Sequence, residues 1–177
     1  LNFWRLIMGM QYDVKQGHLN QSGFLVLGRN RVKGLSFVGT ATAGQVTLFD
    51  TTTAPVTTAT YGRSGTTVTV TQSAHGLTTG QVIGIEFSVG TGGAATNGNY
   101  AVTVLTSSTF TITDINTGAI TASPAAVYTT GRWLLSYDVS ATDIFNNAPL
   151  IPGEGVVAVN GIYAYMVNLT AVNIYYG

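Results

Sequence analysis

The side chains able to do chemistry are few: two histidines, seven acidic residues and no cysteine. His75 stands in His75-Gly76-Leu77. A lone imidazole before a glycine has the makings of a general base. However, no serine in a nucleophile motif and no orienting carboxylate at a usable spacing accompanies it. The residues favour a ring that caps a turn by bonding to local backbone. His18 lies near Asp13, but two ligands are too few for a zinc centre. Asp138, Asp143 and Glu154 could converge in the fold, and carboxylates so placed sometimes bind calcium, yet no loop alternates oxygen ligands about a central glycine. Glycosidic cleavage would need two carboxylates facing each other across a cleft. Gly90–Gly98 (GTGGAATNG) lacks the Gly-Lys-Ser/Thr ending of a phosphate loop and is followed by no helix, so it reads as a hairpin tip. No catalytic, cofactor-binding or metal-ligating residue is assigned, and the chain reads as non-enzymatic.

The remaining candidates are aromatic. Tyr163 and Tyr165 share one face at a period of two, and Tyr175 and Tyr176 end the final strand. With Phe3, Trp4 and Tyr12 near the N-terminus they form the expected interface set. Such rings serve a sugar-binding surface, a subunit contact or ordinary core packing, and large amphipathic side chains dominate interface energetics.

The elements that must position these residues follow from composition. Charged residues are 8% of the chain, against about 25% in an average soluble domain. Lys+Arg and Asp+Glu balance at 7 each. A neutral, weakly charged surface resists association poorly, which suits a protein covered by copies of itself or by partners. It does not suit nucleic-acid binding, which needs clustered cations; only Arg29, Arg31 and Lys33 fall close together. Hydrophobic residues reach 45%, enough for a substantial core, while no apolar run approaches the roughly 18–20 residues of a helical membrane span. With 22 glycines among many Val, Ile, Thr, Tyr and Phe, short strands and tight turns are expected instead of long helices.

Along the chain, residues 1–23 read as an N-terminal arm. Leu1–Gly9 is too short for a signal peptide, so translation starts near Met8 or Met10, or the segment docks on a neighbouring subunit. Phe24–Leu27 is a short strand. Residues 31–49 read as a hairpin turning at Ala43-Gly44. Thr66–Thr71 alternates strictly, as do Tyr100–Val104 and Thr109–Thr113. Trp133, Leu135 and Tyr137 are expected on one face of a strand, and Asn160-Gly161 signals a two-residue hairpin. The resulting plan is all-β. Segments 24–57 and 131–177 pair in one jelly-roll-like β-sandwich, and a small β-barrel module, 58–130, is inserted at a loop, where insertion costs little entropy.

Val68-Thr-Val70, Ala74-His75-Gly76-Leu77-Thr-Thr-Gly80-Gln-Val82, Asn97-Gly98-Asn-Tyr100-Ala-Val102-Thr-Val104 and Ser108-Thr109-Phe110-Thr-Ile112 follow one another in a familiar order. This block resembles a small β-module that recurs in phage structural proteins and is similar to a β-barrel subdomain of ubiquitin-activating enzymes; no active site comes with it. Arg31–Gly44, taken with Leu150–Val156 and Asn160–Tyr163, resembles short virion proteins of marine tailed phages, in which two such stretches form one sandwich. The resemblance implies a virion component: a capsid decoration, cement or head-fibre subunit contacting the major capsid protein and other virion proteins. It would be a homo-oligomer, trimeric by preference, without cofactor, nucleic acid or membrane. The alternative is a tail-fibre, tail-tip or adaptor component that contacts host surface glycan.

Overall fold

The computed structural model describes residues 14–141, 151 and 153–177. Phe3, Trp4, Tyr12, Asp13 and Asp143 therefore lie outside the described residues, as does the start of the expected arm. The described chain contains fifteen strands and no helix.

Eight strands come from the two ends of the chain: β1 (Lys15–Leu19), β2 (Gly23–Leu27), β3 (Asn30–Gly39), β4 (Gly44–Asp50), β12 (Arg132–Val139), β13 (Val156–Ala158), β14 (Gly161–Val167) and β15 (Leu169–Tyr176). They form two four-stranded sheets, β1-β15-β3-β13 and β12-β4-β14-β2. The antiparallel pairs β1·β15, β2·β14, β3·β13 and β4·β12 match the first strand with the last, the second with the next to last, and so on inward. One long ribbon has thus been rolled up, and β3·β15 and β4·β14 close the roll. That is a jelly roll. Val32, Leu35, Phe37, Val46, Leu48, Ile162, Val172 and Ile174 fill the space between its sheets. Each contributes roughly 1.5–3 kcal/mol relative to an exposed side chain.

The roll corrects three local expectations. β3 and β4 belong to different sheets, so residues 31–49 are a crossing and not a hairpin. Asn160-Gly161 is likewise a corner between β13 in one sheet and β14 in the other, and neither residue has the positive φ that a type I′ turn requires. Lys15–Leu19, inside the segment expected as an arm, is an edge strand paired with β15 of the same chain. At the two corners the sequence pattern marks a direction change correctly, while the sheet that receives the next strand is set by long-range packing.

The ribbon's tip is replaced by the remaining strands: β5 (Val56–Ser64), β6 (Thr67–Thr71), β7 (Val82–Phe87), β8 (Gly98–Ala101), β9 (Thr103–Thr106), β10 (Thr109–Thr113) and β11 (Ala125–Thr129). Their sheet runs β8-β7-β11-β5-β6-β10-β9. Its two edge strands are consecutive in the chain, separated only by Val102. Val102 is buried, its N–H donates to Gln81 O, and its carbonyl accepts from Gly80 N–H. A single bent strand therefore joins the two edges and the sheet curls into a small barrel, which removes exposed edges. Val68, Val70, Ile83, Ile85, Phe110 and Ile112 line its interior, on the alternation visible in Thr66–Thr71 and Thr109–Thr113.

The chain enters the barrel from β4 and returns through β12, whose Arg132 is the register partner of Asp50. Thr51 Oγ1 meets Thr129 Oγ1 at 2.8 Å where the two crossings run side by side. Gly84 of β7 lies flat on the returning strand, with its N–H donating to Gly131 O at 2.9 Å. A Cβ on Gly84 would fall 2.0 Å from Trp133 N and 2.5 Å from Arg132 C. Backbone cannot swing aside as a side-chain tip can. Gly84→Ala is therefore expected to cost about 1–3 kcal/mol, read as a lower melting temperature together with faster proteolysis near residues 130–133.

Candidate functional site: the joint between barrel and jelly roll

Alternation along β4 sends Val46 and Leu48 into the jelly-roll core and leaves Gln45, Thr47 and Phe49 on the outer face of its sheet. On β12 the register slips between Trp133 and Leu135. A one-residue slip reverses which side chains face the core. Leu135 and Tyr137 pack inward, while Trp133 turns outward beside Phe49. The expectation that Trp133, Leu135 and Tyr137 share a face is thus corrected by a bulge, and the bulge aims the indole at the barrel.

Glu86 of β7 receives it. This carboxylate is 2% exposed and sits among donors from both halves of the protein. Trp133 Nε1–H donates to Oε2 at 2.8 Å. Asn97 Nδ2 lies 2.5 Å and Gln45 Nε2 2.6 Å from Oε1, and Ser136 Oγ–H reaches Oε1 at 3.4 Å. Burial pushes the Glu86 carboxyl above its ordinary value, against the lowering effect of Trp133, Gln45, Ser136 and Thr47 beside it. A raised acid pKa means the folded joint favours the protonated form. The contribution is fully present below the unfolded value and is lost as pH rises through the folded one.

The same face continues outward. Gln45 Nε2 also reaches Ser136 Oγ at 3.0 Å and Asp138 Oδ1 at 3.1 Å. Beyond it opens a cleft of about 540 Å³, bounded by Gln45, Asp138 and Val167 on the jelly-roll side and by Phe87, Ser88 and Val89 on the barrel side. Glu86 does not line this cleft, so the two acids do not face each other across open space as glycosidic cleavage requires.

The sites read from the sequence fall elsewhere. His75 braces a turn: its Nδ1 accepts from Leu77 N–H at 3.0 Å and its Nε2–H donates to Thr106 O at 2.9 Å. His18 pairs with Asn173 Oδ1 on the outer face of the other sheet. Asp138 and Glu154 are not brought together; Glu154 lies 3.5 Å from Arg31 on β3. Among the described residues no group of three His, Cys, Asp or Glu side chains is assembled.

The four C-terminal tyrosines are divided. Tyr163 and Tyr165 share the outer face that carries Glu86's partners. Tyr163 packs edge-on against Phe24 with ring centroids 4.9 Å apart, and burial together with the nearby Glu86 charge raises the Tyr165 hydroxyl's pKa. Tyr176 packs into the jelly-roll core, whereas Tyr175 alternates with Ile174 to the opposite outer face, beside Asn173. Glu86, Gln45, Thr47 and Ser136 were missed by sequence reasoning. A lone acid in the apolar run Val82–Phe87 was the available signal.

Fold and joint together define the class: an all-β jelly roll with a small barrel inserted at the tip of its ribbon. Comparison with family models, with curated proteins and with solved structures finds no match.

Proposed function

We propose that this chain is a non-enzymatic structural subunit of a tailed-phage virion, decorating or cementing the capsid as a homo-oligomer, by preference a trimer. The observation that carries this reading is the division of the jelly roll into two unlike outer faces. One is engaged by the chain's own barrel through Glu86, Trp133 and Gln45. The other presents a hydrogen-bonded polar ladder across β1, β15 and β3, with His18 bonded to Asn173 and Asn173 Nδ2 to Ser36 Oγ, next to Tyr175. A hydrogen-bonded polar ladder beside an aromatic side chain suits contact with neighbouring protein, and binding there adds stability by mass action. The low overall charge, the virion-type resemblance and the absence of a built catalytic pair among the described residues point the same way.

Light scattering on the whole chain is expected to give three times the 18.5 kDa chain mass. Mass-spectrometric counting in purified virions is expected to give copies on the order of hundreds, as a symmetric shell requires. A few copies per particle would favour the tail reading, in which the cleft beside Val89 takes host glycan. A monomer absent from particles and cleaving polysaccharide would overturn both.

A further inference from the structure

The joint's buried carboxylate has no cation beside it. Glu86 is 2% exposed, and no Lys, Arg or His hydrogen-bonds or ion-pairs with it among the described residues. The ionisable groups around it come from each packed element in turn. β12 brings Asp138, set apart from Glu86 by the Gln45 amide that reaches both, at 3.1 and 2.6 Å. Arg132 on the same strand is committed to Asp50. β14 brings Tyr165, whose hydroxyl burial and then the Glu86 charge push up. Tyr128 of β11 and Tyr100 of β8 pack against the barrel's own interior. An ionised carboxylate held in such a place loses its hydration and gains no opposite charge, whereas the protonated acid loses far less.

The two ends of the joint differ. Near the crossings, bonds between neutral groups tie barrel to roll at any pH. Gly84 N–H donates to Gly131 O at 2.9 Å, Trp133 N–H to Asn99 Oδ1 at 2.8 Å, and Asn99 Nδ2 to Trp133 O at 3.0 Å. Glu86 stands further along β7, where its donors Trp133, Gln45 and Ser136 all belong to the roll. Phe87, Ser88 and Val89, which follow it, form the barrel wall of the open cleft, opposite Gln45 and Asp138. One end of the joint is thus a fixed pivot, and the end that borders the cleft is held through Glu86.

We propose that Glu86 is a proton-operated latch: its protonated form keeps the barrel closed on the jelly roll, and its ionisation lets the barrel rock about the crossings and widen the cleft between Ala43 and Val89. Rocking admits water to the carboxylate and restores its hydration, so the ionised form favours the open arrangement. The Thr47 hydroxyl beside Glu86 suits both settings, since a hydroxyl donates to a carboxylate and accepts from a carboxylic acid. The open joint exposes a carboxyl with the ordinary value of 4.5, and the closed joint holds a higher one. Closure is therefore strongest below 4.5, weakens as pH rises through the folded value, and keeps its weaker setting above it. Asp50 acts in the opposite sense, its corner weakening only as pH falls below the ordinary 3.8, so the latch opens in a range where the roll is intact.

The chain has no cysteine, so spin labels go only where cysteines are introduced. Ala43→Cys and Val89→Cys place them at exposed positions on opposite walls of the cleft in the full-length protein. Pulsed dipolar spectroscopy is expected to show a longer separation growing in as pH rises from 4.5 to about 8. Its midpoint should coincide with the titration of the Glu86 carboxyl followed by carbon-13 NMR. Glu86→Gln, which has no proton to lose there, should keep the shorter separation throughout, and Asp138→Asn should open as the parent does. The proposal is overturned if the parent's separation does not change over this range, if Glu86→Gln lengthens like the parent, or if Asp138→Asn abolishes the change. Should Glu86→Gln fail to fold, the two midpoints in the parent decide. A carboxyl midpoint at or below 4.5, or one that differs from that of the separation, rejects the latch.

Discussion

Replacing Asp50 with alanine is expected to destabilise the jelly roll by about 3–5 kcal/mol, because it removes one partner of a buried, multiply bonded charge. Asp50 ends β4 and its side chain is fully buried. It accepts from the backbone N–H groups of Val159 at 2.9 Å, Asn160 at 2.6 Å and Gly161 at 3.2 Å. Arg132, at the start of β12, adds a two-pronged contact at 2.8 and 3.2 Å. One carboxylate thus fixes the corner between the two sheets and the strand on which the chain returns from the barrel. Alanine leaves three N–H groups at that corner without their acceptor. Asparagine keeps the shape but loses the charge and half the acceptor capacity, so Asp50→Asn should fall between alanine and the parent.

The pH dependence has a defined sign. Burial raises the Asp50 carboxyl, but the bonds from Val159, Arg132, Asn160 and Gly161 outweigh it and leave the folded value below the ordinary 3.8. The contribution is therefore intact above the unfolded value and disappears as pH falls through the folded one. Urea denaturation at a series of pH values checks this. The parent should lose stability over that acid range and the alanine variant should lose less. Parallel curves for the two proteins would remove Asp50 from the account.

Much of this architecture was legible in the sequence, and the reason is periodicity. Val68/Val70 and Phe110/Ile112 alternate because one face of each strand is barrel interior. Residues 58–130 read as a separate module because Thr67, Thr69 and Thr71 face solvent on a strand whose other side, Val68 and Val70, is barrel interior. What could not be read was which sheet a strand joins after a corner. Ala43-Gly44 and Asn160-Gly161 carry the same local signal whether the next strand pairs back or crosses over, and only the packing of β3 against β15 and of β4 against β14 decides.

The joint was hidden for a related reason. Glu86 lies in Val82–Phe87, where alternation is absent because the strand is buried on both faces, by the barrel core on one side and the jelly roll on the other. Its partners come from positions 45, 97, 133 and 136, and no spacing rule connects residues so far apart. Trp133 was assigned to the wrong face because a bulge shifts register by one residue without altering the composition of the strand. Tyr163 and Tyr165 were legible as sharing a face, since β14 carries no such irregularity between them.

The barrel has its own ionic anchor, and breaking it should act on the barrel without acting on the roll. Arg63 and Asp114 pair with side chains 6% and 0% exposed. Arg63 also donates to the carbonyls of Gly118 at 3.1 Å and Thr117 at 3.2 Å, and Asp114 accepts from Thr96 N–H at 3.3 Å and Asn116 N–H at 3.2 Å. Asp114→Ala strands a buried guanidinium and is expected to cost about 3–5 kcal/mol. Arg63→Met leaves the carboxylate with its backbone donors and should cost less. Combining the two removes both charges, so the double variant should be more stable than the sum of the single losses implies. Hydrogen exchange locates the effect: amides of β5, β6 and β10 should exchange faster in Asp114→Ala while those of β3 and β15 keep their protection, and Asp50→Ala should do the reverse. Uniform loss of protection in both variants would instead mean that the joint at Glu86 couples barrel and roll into one cooperative unit.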